Sequence, residues 1–294
     1  MTKKLNVGGQ AVIEGVMMRG PGKIAVAVRE PGGEIVVDLQ PAGTIADKYP
    51  ILKKPLLRGV VALCESLVYG MKALSYSAQV PGEDDEKLDS KDMVLTIITS
   101  ILLAVGLFIV LPTWTMKFLR EFTTNPLTLN LAEGLLRMTI FLAYIGGISL
   151  MPDIQRVFQY HGAEHKTIYT YENGLPLEIA NVRGFSTLHP RCGTNFLMIV
   201  MIISVFVFAF LGWPSIGVRI LSRVILMPLI AGVSYEIIRY AGKHIDHAWV
   251  KTAIWPGLCL QRLTTREPDD SQIEVAIASL KAVLPEEQES LISK

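Results

Sequence analysis

Four long apolar stretches follow one another along the chain, at 93–116, 135–151, 195–213 and 216–238. A helix of about 20 apolar residues crosses the hydrocarbon core of a bilayer, so each stretch is a candidate transmembrane helix. The first and third stretches contain no charged residue, and Arg137 lies near the start of the second. The pattern therefore predicts an α-helical polytopic membrane protein with four transmembrane helices.

The fourth stretch is weaker, because Arg219 and Arg223 fall within its first two turns and an arginine at mid-bilayer is costly. A re-entrant or surface helix is therefore the alternative for 216–238. Both arginines lie near one end of the stretch. Glu133 is expected at the same membrane face, where it would pair with one of them.

Lysine and arginine residues are unevenly distributed among the segments outside these stretches. They are frequent before residue 93, in the loop 152–194 and after residue 238, whereas the other two connections contain few. Because positive residues favour the cytosolic side, both termini and the loop 152–194 are expected in the cytosol. Four spans satisfy this distribution and three would not.

The part of the chain before the first apolar stretch contains short segments that are typical of β-strands, and one helix. Residues 24–28 and 34–39 are strand-like and predict two strands joined by a turn at 31–33, and residues 9–21 predict another strand bounded by glycines. A helix is expected at 55–79, with one apolar stripe made by Leu56, Val60, Leu63, Leu67, Met71 and Leu74. Two positions remain open for this helix: capping the sheet or lying on the membrane surface.

These elements predict four regions. Residues 1–54 form a β-rich cytosolic domain, and 55–91 form the amphipathic helix with a polar linker at 81–87. Residues 92–238 form the four-span membrane domain, and 239–294 form a cytosolic tail. The tail ends in a helix at about 271–284, because Asp269 and Asp270 are suitable capping residues at its start.

Composition supports the same class of protein. Half of the 294 residues are hydrophobic, and the mean hydropathy is +0.39. The net charge of +1 does not provide the excess positive charge that is typical of nucleic-acid-binding proteins. Three cysteines do not make a disulfide framework, so reduced thiols facing the cytosol are the simpler interpretation. The N-terminus shows no apolar signal segment, and membrane insertion is expected to use the internal spans.

The chemistry-bearing motif is His161-Gly162-Ala163-Glu164-His165, on a helix expected at 153–171 directly after the second span. His-x-x-Glu-His is the inverted zinc-hydrolase motif, in which two imidazoles bind zinc and the glutamate acts as general base. The alternative is that both histidines make ordinary hydrogen bonds at the junction with the membrane. Both extend an apolar stripe, and buried imidazoles need partners, which a metal ion would provide.

A second pair, His189 and Cys192, lies just before the third span and on the same side of the membrane. An imidazole and a thiolate suit zinc as third and fourth ligands. With His161 and His165 they would make a closed, structural four-ligand site, whereas three ligands would leave room for water. A nucleophilic Cys192 with His189 as its base is a further alternative.

Other candidate residues surround this motif. His244 and His247 follow the fourth span on the cytosolic face, and Glu236 is a candidate distant acidic ligand. Arg191, beside Cys192, would favour a thiolate. Glu14 and Arg19 in the glycine-bounded strand are candidates to serve the site, and a solvated strand edge is their alternative position.

Four segments carry a family resemblance: GGQAVIEGVMMRGP (8–21), YHGAEHKTIYTYE (160–172), HPRCGTNF (189–196) and PGLCLQRLTTREPDDSQIEVAI (256–277). Together they resemble the YqhQ-like family of bacterial membrane proteins, known as domain of unknown function 1385. The resemblance covers nearly the whole chain. It implies a multipass protein of the bacterial cell (inner) membrane and a predicted metal-dependent enzyme. The signature blocks contain Glu14, Arg19, His161, Glu164, His165, His189, Arg191 and Cys192.

Two functions from different classes fit these observations. The first is a zinc-dependent hydrolase acting at the cytosolic membrane interface, with Glu164 activating water and a membrane lipid or membrane-bound peptide as substrate. The second is a non-catalytic membrane scaffold, or a factor for membrane-protein assembly or transport. In the second case the histidine and cysteine cluster is structural and the partner is another membrane protein.

Overall fold

A computed structural model describes residues 5, 7–80, 90–245 and 247–285. Four strands form one antiparallel sheet in chain order: β1 (Gly8–Val12), β2 (Gly15–Gly20), β3 (Lys23–Arg29) and β4 (Ile35–Pro41). The strands expected at 24–28 and 34–39 are confirmed as β3 and β4. The turn between them contains Gly33 at a φ of 90°, a conformation that favours glycine. The expected linker 81–87 and Asp246 lie outside the described residues.

The prediction of a single strand over residues 9–21 is wrong, because the chain reverses direction within it. Val12 pairs directly with Gly15, and the tight loop between them holds Glu14 at a φ of 50°. A Cβ atom on Gly15 would lie 2.2 Å from a carbonyl oxygen of β3, so glycine is needed where β2 begins. The apolar pattern continues across the turn and therefore conceals it.

The described helices, in chain order, are α1 (Ile45–Lys48), α2 (Leu57–Ser77), α3 (Ser90–Val105), α4 (Leu111–Leu119), α5 (Pro126–Ile148), α6 (Pro152–Asn173), α7 (Ile179–Arg183), α8 (Gly193–Ala209), α9 (Ile216–Ala241), α10 (Ala248–Thr264) and α11 (Asp270–Val283). A short 3-10 helix, Pro50–Lys53, follows α1, and a π-helical segment, Gly106–Val110, joins α3 to α4. The expected helices after the second span and near the C-terminus are confirmed as α6 and α11.

Helices from distant parts of the chain cover both faces of the sheet. One face packs against α6 and α11 through Val16, Met18, Ala25 and Ala27. The other packs against α2 through Val12, Met17, Ile24, Val26 and Val28. Neighbouring strand residues point to opposite faces, which explains the alternation. The tail helix α11 therefore shares one folded core with the N-terminal sheet.

Helix α2 confirms the helix expected at 55–79, but its buried face is not the apolar stripe. The buried residues are small: Gly59, Gly70, Ala73 and Ser77. The stripe remains exposed at Leu67, Met71 and Leu74. A Cβ atom on Gly59 would lie 2.7 Å from a side chain of α9, so small residues allow close packing. Helix α2 thus caps the sheet and turns its larger apolar residues outward.

Among the residues that the structure describes, three helical segments are long and apolar enough to cross a membrane: Val94–Leu119, Pro126–Ile148 and Ile216–Ala241. They correspond to the first, second and fourth expected spans, which is compatible with a membrane protein. The third expected span is α8, which is apolar but has 17 residues. At about 1.5 Å per residue, α8 is about 25 Å long, slightly less than a hydrocarbon core of about 30 Å.

A buried ion cluster joins α5 to α9. The carboxylate of Glu133 accepts hydrogen bonds of 2.9 Å from both Arg223 and Arg137, which confirms the predicted pairing with an arginine of the fourth stretch. Glu133 has no exposed side-chain surface. Asn130 donates to the carbonyl oxygen of Gly212 at 2.7 Å. These contacts bring the starts of α5 and α9 and the turn after α8 to one end of the molecule.

Candidate metal centre

Helix α6 presents His161, Glu164 and His165 to the same region, because residues three and four apart lie on adjacent turns of a helix. Glu164 and His165 are 4% and 1% exposed. The helix ends at Gly174, whose φ of 70° forms a left-handed C-cap. Polar side chains buried on this helix need hydrogen-bond or metal partners, since an unsatisfied buried imidazole is costly.

The segment after α10 crosses α6 at Gly162. The backbone N–H of Arg266 donates to the carbonyl oxygen of Phe158 at 2.9 Å. A Cβ atom on Gly162 would lie 2.0 Å from the carbonyl oxygen of Arg266. Glycine is therefore required for this close approach, which also brings the end of α10 to His161.

Backbone carbonyls fix the tautomers of both helix histidines. The Nδ1 atom of His161 lies 2.8 Å from the carbonyl oxygen of Thr264, and Nδ1 of His165 lies 2.5 Å from that of Thr187. A carbonyl oxygen only accepts, so each Nδ1 carries the proton and each Nε2 keeps its lone pair. Metal-binding histidines typically donate their other ring N–H to a carbonyl or carboxylate oxygen in this way.

Cys192 reaches the two imidazoles from the N-cap position of α8. Its Sγ atom lies 3.2 Å from Nε2 of His161 and accepts from the backbone N–H of Thr194 at 3.4 Å. The positive end of the helix dipole favours a negatively charged ligand atom there. One ligand atom each from His161, His165 and Cys192 lie within 4.8 Å of one another.

The carboxylate of Glu164 stands beside these ligand atoms. Its Oε2 atom lies 3.6 Å from Nε2 of His165 and 3.9 Å from Nε2 of His161. Burial raises the pKa of Glu164 above its ordinary value, although a hydrogen bond from the backbone N–H of Gly9 acts in the opposite direction. Gly9 also makes room for the carboxylate, because a Cβ atom there would lie 2.8 Å from Cγ of Glu164.

His189 lies near the cluster but its ring nitrogens have other partners. Nδ1 accepts from the backbone N–H of Arg191 at 3.3 Å, and Nε2 faces Oε2 of Glu172 at 3.3 Å. Its ring centroid is 5.6 Å from that of His165. Gln261 holds its backbone, donating to the carbonyl oxygen at 2.9 Å and accepting from the N–H at 2.8 Å. The structure therefore brings three of the four predicted ligands together and uses His189 to order the loop.

Two imidazoles and one thiol are donor groups that zinc accepts. Tetrahedral zinc with nitrogen ligands at about 2.0 Å and sulfur at about 2.3 Å places neighbouring ligand atoms about 3.5 Å apart. The separation of 3.2 Å between His161 and Cys192 is close to this value. Burial lowers the pKa of His165, which favours the neutral imidazole that a metal requires. The two imidazole lone pairs and the one thiol are therefore a possible set of three metal ligands.

The remaining candidates lie at different distances from this centre. Arg19 lines the same cavity as the cluster, but its guanidinium donates to Glu65 at 2.7 Å. Arg191 also lines this cavity and pairs with Glu172. Glu14 lies in the β1–β2 turn, where it pairs with a side chain of α6, Arg156, at 2.5 Å. It therefore anchors the hairpin to α6 and lies neither on a solvated strand edge nor among the ligands.

Glu236, His244 and His247 are separate from the cluster. Glu236 accepts from Nε of Arg58 at 2.7 Å, which connects α9 to α2. The His244 ring stacks on Tyr240 with centroids 4.1 Å apart, and its Nδ1 lies 3.0 Å from the carbonyl oxygen of Tyr240. His247 is the N-cap of α10. Among the described residues, none of these three contributes to the group of candidate ligands.

A cavity of about 830 Å³ adjoins the cluster, between the sheet and helices α2, α6, α8 and α9. Its polar side is formed by Glu164, the three candidate ligands and the two arginines already described. Much of the remaining wall is apolar: Met17, Leu63, Phe158, Phe196, Leu197 and Ile238. The cavity therefore joins a polar end to a hydrophobic volume.

Three supporting residues were not predicted from the sequence: Gly9, Glu172 and Gln261. Glu172 and Gln261 fall within the segments 160–172 and 256–277, and glycine pairs such as Gly8-Gly9 often mark close backbone approach. The family segments therefore include Glu172 and Gln261, but the sequence does not show which residues they contact. Gln261 is fully buried, and its partner lies 72 residues away in sequence.

Fold and site together define a class of protein: a predominantly helical chain with apolar helices compatible with a membrane, and a small sheet packed beside a His–His–Cys cluster. The family model "Protein of unknown function (DUF1385)" matches residues 54–286. A relative from Bacillus subtilis (strain 168), "Uncharacterized protein YqhQ", is 37% identical over 295 residues, which cover 94% of this chain and 92% of the relative. No solved structure matches. The chain belongs to the DUF1385 family, which confirms the resemblance.

Proposed function

We propose that this protein is a zinc-dependent hydrolase of the bacterial cell membrane, with its site at the cytosolic interface. The observation that carries the proposal is the convergence of His161, His165 and Cys192 beside the buried carboxylate of Glu164. Three protein ligands are typical of catalytic zinc sites, whereas structural sites usually have four. The pairing of a metal with an adjacent carboxylate favours hydrolysis.

Zinc held by these residues would supply Lewis-acid chemistry to the bond that is hydrolysed. The chain supplies the remaining functions. Oε2 of Glu164 accepts a proton from the attacking water and returns it to the leaving group. The carbonyl oxygens of Thr264 and Thr187 hold the two imidazoles in the ligand tautomer. Burial of Glu164 and His165 limits the access of other water molecules.

The cavity favours an amphipathic substrate. A polar reacting group would lie at Glu164, and an acyl or other apolar chain would fill the hydrophobic volume of about 830 Å³. Phe196 and Leu197 of α8 and Ile238 of α9 line that volume, so it borders the apolar helices. A membrane lipid or a membrane-bound peptide with a hydrolysable bond fits this shape.

We also propose four membrane spans with both termini in the cytosol. Helix α8 packs beside α5, α9 and α10, and its length of about 25 Å is close to the roughly 30 Å of hydrocarbon that a span must cross. The bond from Asn130 to Gly212 and the pair of Glu133 with Arg223 place both turns of the bundle at one end. The sheet and the candidate metal centre then lie at the other end, on the side that the basic residues favour.

The first test is elemental analysis of detergent-purified protein. We expect about one zinc per chain in the wild type and in Glu164→Gln, and none in His165→Ala. His247→Ala is the matched control, because it removes an imidazole from outside the cluster. Hydrolysis of p-nitrophenyl acetate and octanoate is then compared. The octanoate is expected to react faster, and Glu164→Gln is expected to lose the activity while it keeps its zinc.

Two outcomes would contradict the hydrolase proposal. Folded wild-type protein that contains no zinc would exclude the metal centre. If Glu164→Gln keeps both its zinc and the activity of the wild type, the scaffold or assembly role is favoured, in which the cluster holds α6 against α8. In that case loss of His161 or His165 should lower the melting temperature, because the cluster would be structural.

A further inference from the structure

A second cavity, of about 170 Å³, lies at the end of the apolar helices away from the metal centre, between the end of α4 and the start of α9. Its lining includes Lys117, Arg120, Trp213, Ser215 and Arg219. Three of these residues are cationic, and none of the described residues that line the cavity is a carboxylate. Its volume is several times the roughly 30 Å³ of a water molecule in the liquid. The cavity therefore suits a small anionic group.

Arg219 is the central feature of this cavity. It is 6% exposed, and its guanidinium lies over the ring of Trp213 at 4.1 Å. Within the described part of the chain, its Nη1 atom is buried without a hydrogen-bond partner. A buried guanidinium nitrogen without an acceptor is costly, and such a group requires an explanation.

The nearby carboxylate does not provide that acceptor. Glu133 is bound by Arg223 and Arg137, through hydrogen bonds of 2.9 Å from each. No salt bridge joins Arg219 to any carboxylate among the residues that the structure describes. One glutamate therefore neutralises a single charge in a group of three arginines, and the positive charge of Arg219 remains.

The start of α9 adds a second source of positive potential. Ser215 is the N-cap of this 26-residue helix and makes no side-chain capping bond. The first backbone N–H groups of a helix have no partner within the helix, and the dipole is positive at this end. Helix N-termini bind phosphate groups for these two reasons. Ser215 and Ile216 both line the cavity.

We propose that this cavity binds a phosphate group, either the headgroup phosphate of a membrane lipid or free phosphate. Arg219 and the start of α9 hold the phosphate oxygens, and Lys117 and Arg120 neutralise it from the exposed side. This site is independent of the metal centre and of the proposed hydrolase activity, because it involves the opposite ends of the helices.

The test is binding of short-chain phosphatidylglycerol to the full-length protein in an uncharged detergent. The matched lipid is diacylglycerol with the same acyl chains, which lacks the phosphate. We expect diacylglycerol to bind about tenfold more weakly, and Arg219→Gln to weaken phosphatidylglycerol binding by about the same factor. Arg239→Gln removes the same charge from an exposed position at the other end of α9 and is expected to have no effect.

A second variant and a competitor complete the test. Lys117→Gln changes an exposed residue, so it keeps the proposal testable if Arg219→Gln does not fold. Displacement of the lipid by inorganic phosphate supports a free-phosphate site, whereas phosphatidylglycerol binding that phosphate does not displace supports a lipid headgroup site. Equal binding of diacylglycerol and phosphatidylglycerol overturns the proposal. Wild-type affinity in both Arg219→Gln and Lys117→Gln overturns it as well.

Discussion

The Nε2 atom of His161 lies 3.2 Å from the Sγ atom of Cys192, although 31 residues separate them in the sequence. His161 belongs to a helix packed against the sheet, and Cys192 begins an apolar helix. The pair therefore connects the part of the protein that surrounds the sheet to its apolar helices. Any ligand shared by these two side chains would stabilise that connection.

Cys192→Ser separates the ligand role of this residue from its capping role. Serine is a favourable N-cap, so α8 is expected to form normally, but the thiolate is lost. We expect zinc affinity, measured by competition with a chelator, to fall by more than the roughly 100-fold that is typical when a residue hydrogen-bonded to a metal ligand is changed. Cys64→Ser, at an exposed position on α2, is expected to keep wild-type affinity. Equal affinity in both variants would show that Cys192 is not a ligand.

Gly162→Ala tests the close contact between α6 and the segment after α10. The added Cβ would lie 2.0 Å from the carbonyl oxygen of Arg266, and backbone cannot move as readily as a side chain. We expect destabilisation of about 3 kcal/mol, at the upper end for an overpacked site, measured by thermal unfolding in detergent. Gly147→Ala is the control, because a Cβ there meets no atom within 4 Å. Similar melting temperatures for the two variants would argue against the contact.

Long periodic segments were predictable from the sequence, whereas tertiary partners were not. The apolar lengths indicated α3–α4, α5 and α9, because hydrophobicity over 20 residues is a strong local signal. The face that α2 buries was not predictable, since close packing against α9 selected Gly59 over the larger apolar stripe. Local pattern shows which residues are apolar but does not show which neighbour will cover them.

In the candidate site, too, local spacing was predictable from the sequence and tertiary partners were not. Spacing of four residues on a helix places His161 and His165 together, and this followed from the sequence. The exclusion of His189 from the ligand group did not, because it depends on Glu172 and on the clamp by Gln261. The role of Glu14 was concealed for another reason, since the turn that contains it is only two residues long and lies between two apolar runs, 11–13 and 16–18.

Asp269 provides a pH-dependent test of the tail helix. Burial disfavours the charged form, but hydrogen bonds from the hydroxyl of Ser271 and the N–H of Gln272 outweigh it, so the pKa of Asp269 lies below its usual value. A depressed pKa means that the carboxylate stabilises the fold above an unfolded-state pKa of about 3.9. This contribution is lost as pH falls through the folded-state pKa.

We therefore expect Asp269→Ala to lower stability at neutral pH by about 1 kcal/mol, the usual value for loss of an N-cap. The difference from wild type should shrink as the pH falls below 3.9, the approximate pKa in the unfolded chain. Asp269→Asn keeps a capping oxygen that does not titrate, and its stability should exceed that of the alanine variant at every pH. Melting temperatures of the three proteins in detergent check this. A pH-independent difference between wild type and Asp269→Ala would contradict it.

Glu236→Gln distinguishes a distant metal ligand from a structural ion pair. The carboxylate of Glu236 binds Arg58 at the junction of α9 with α2, so we expect zinc content to be unchanged. Loss of the pair should lower stability by about 1 kcal/mol. Arg58→Gln should have the same effect, and the double variant should be little worse than either single one, because the two residues act as a unit. Lower zinc content in Glu236→Gln alone would restore its role as a ligand.

Cysteine labelling tests whether α8 crosses the membrane. In a background with the native cysteines replaced, single cysteines are placed at position 64, at Phe122 after α4 and at Phe210 after α8. All three positions are exposed, with Phe122 and Phe210 at 85% and 81%. Four spans place residues 122 and 210 outside and residue 64 in the cytosol. An impermeant maleimide should therefore label Phe122→Cys and Phe210→Cys in intact spheroplasts, and Cys64 only after permeabilisation.

Protection of Phe210→Cys alone would show that α8 does not cross the membrane. Because basic residues lie on both sides of the α8–α9 pair, this result would make α8 and α9 a re-entrant pair and reduce the number of spans to two.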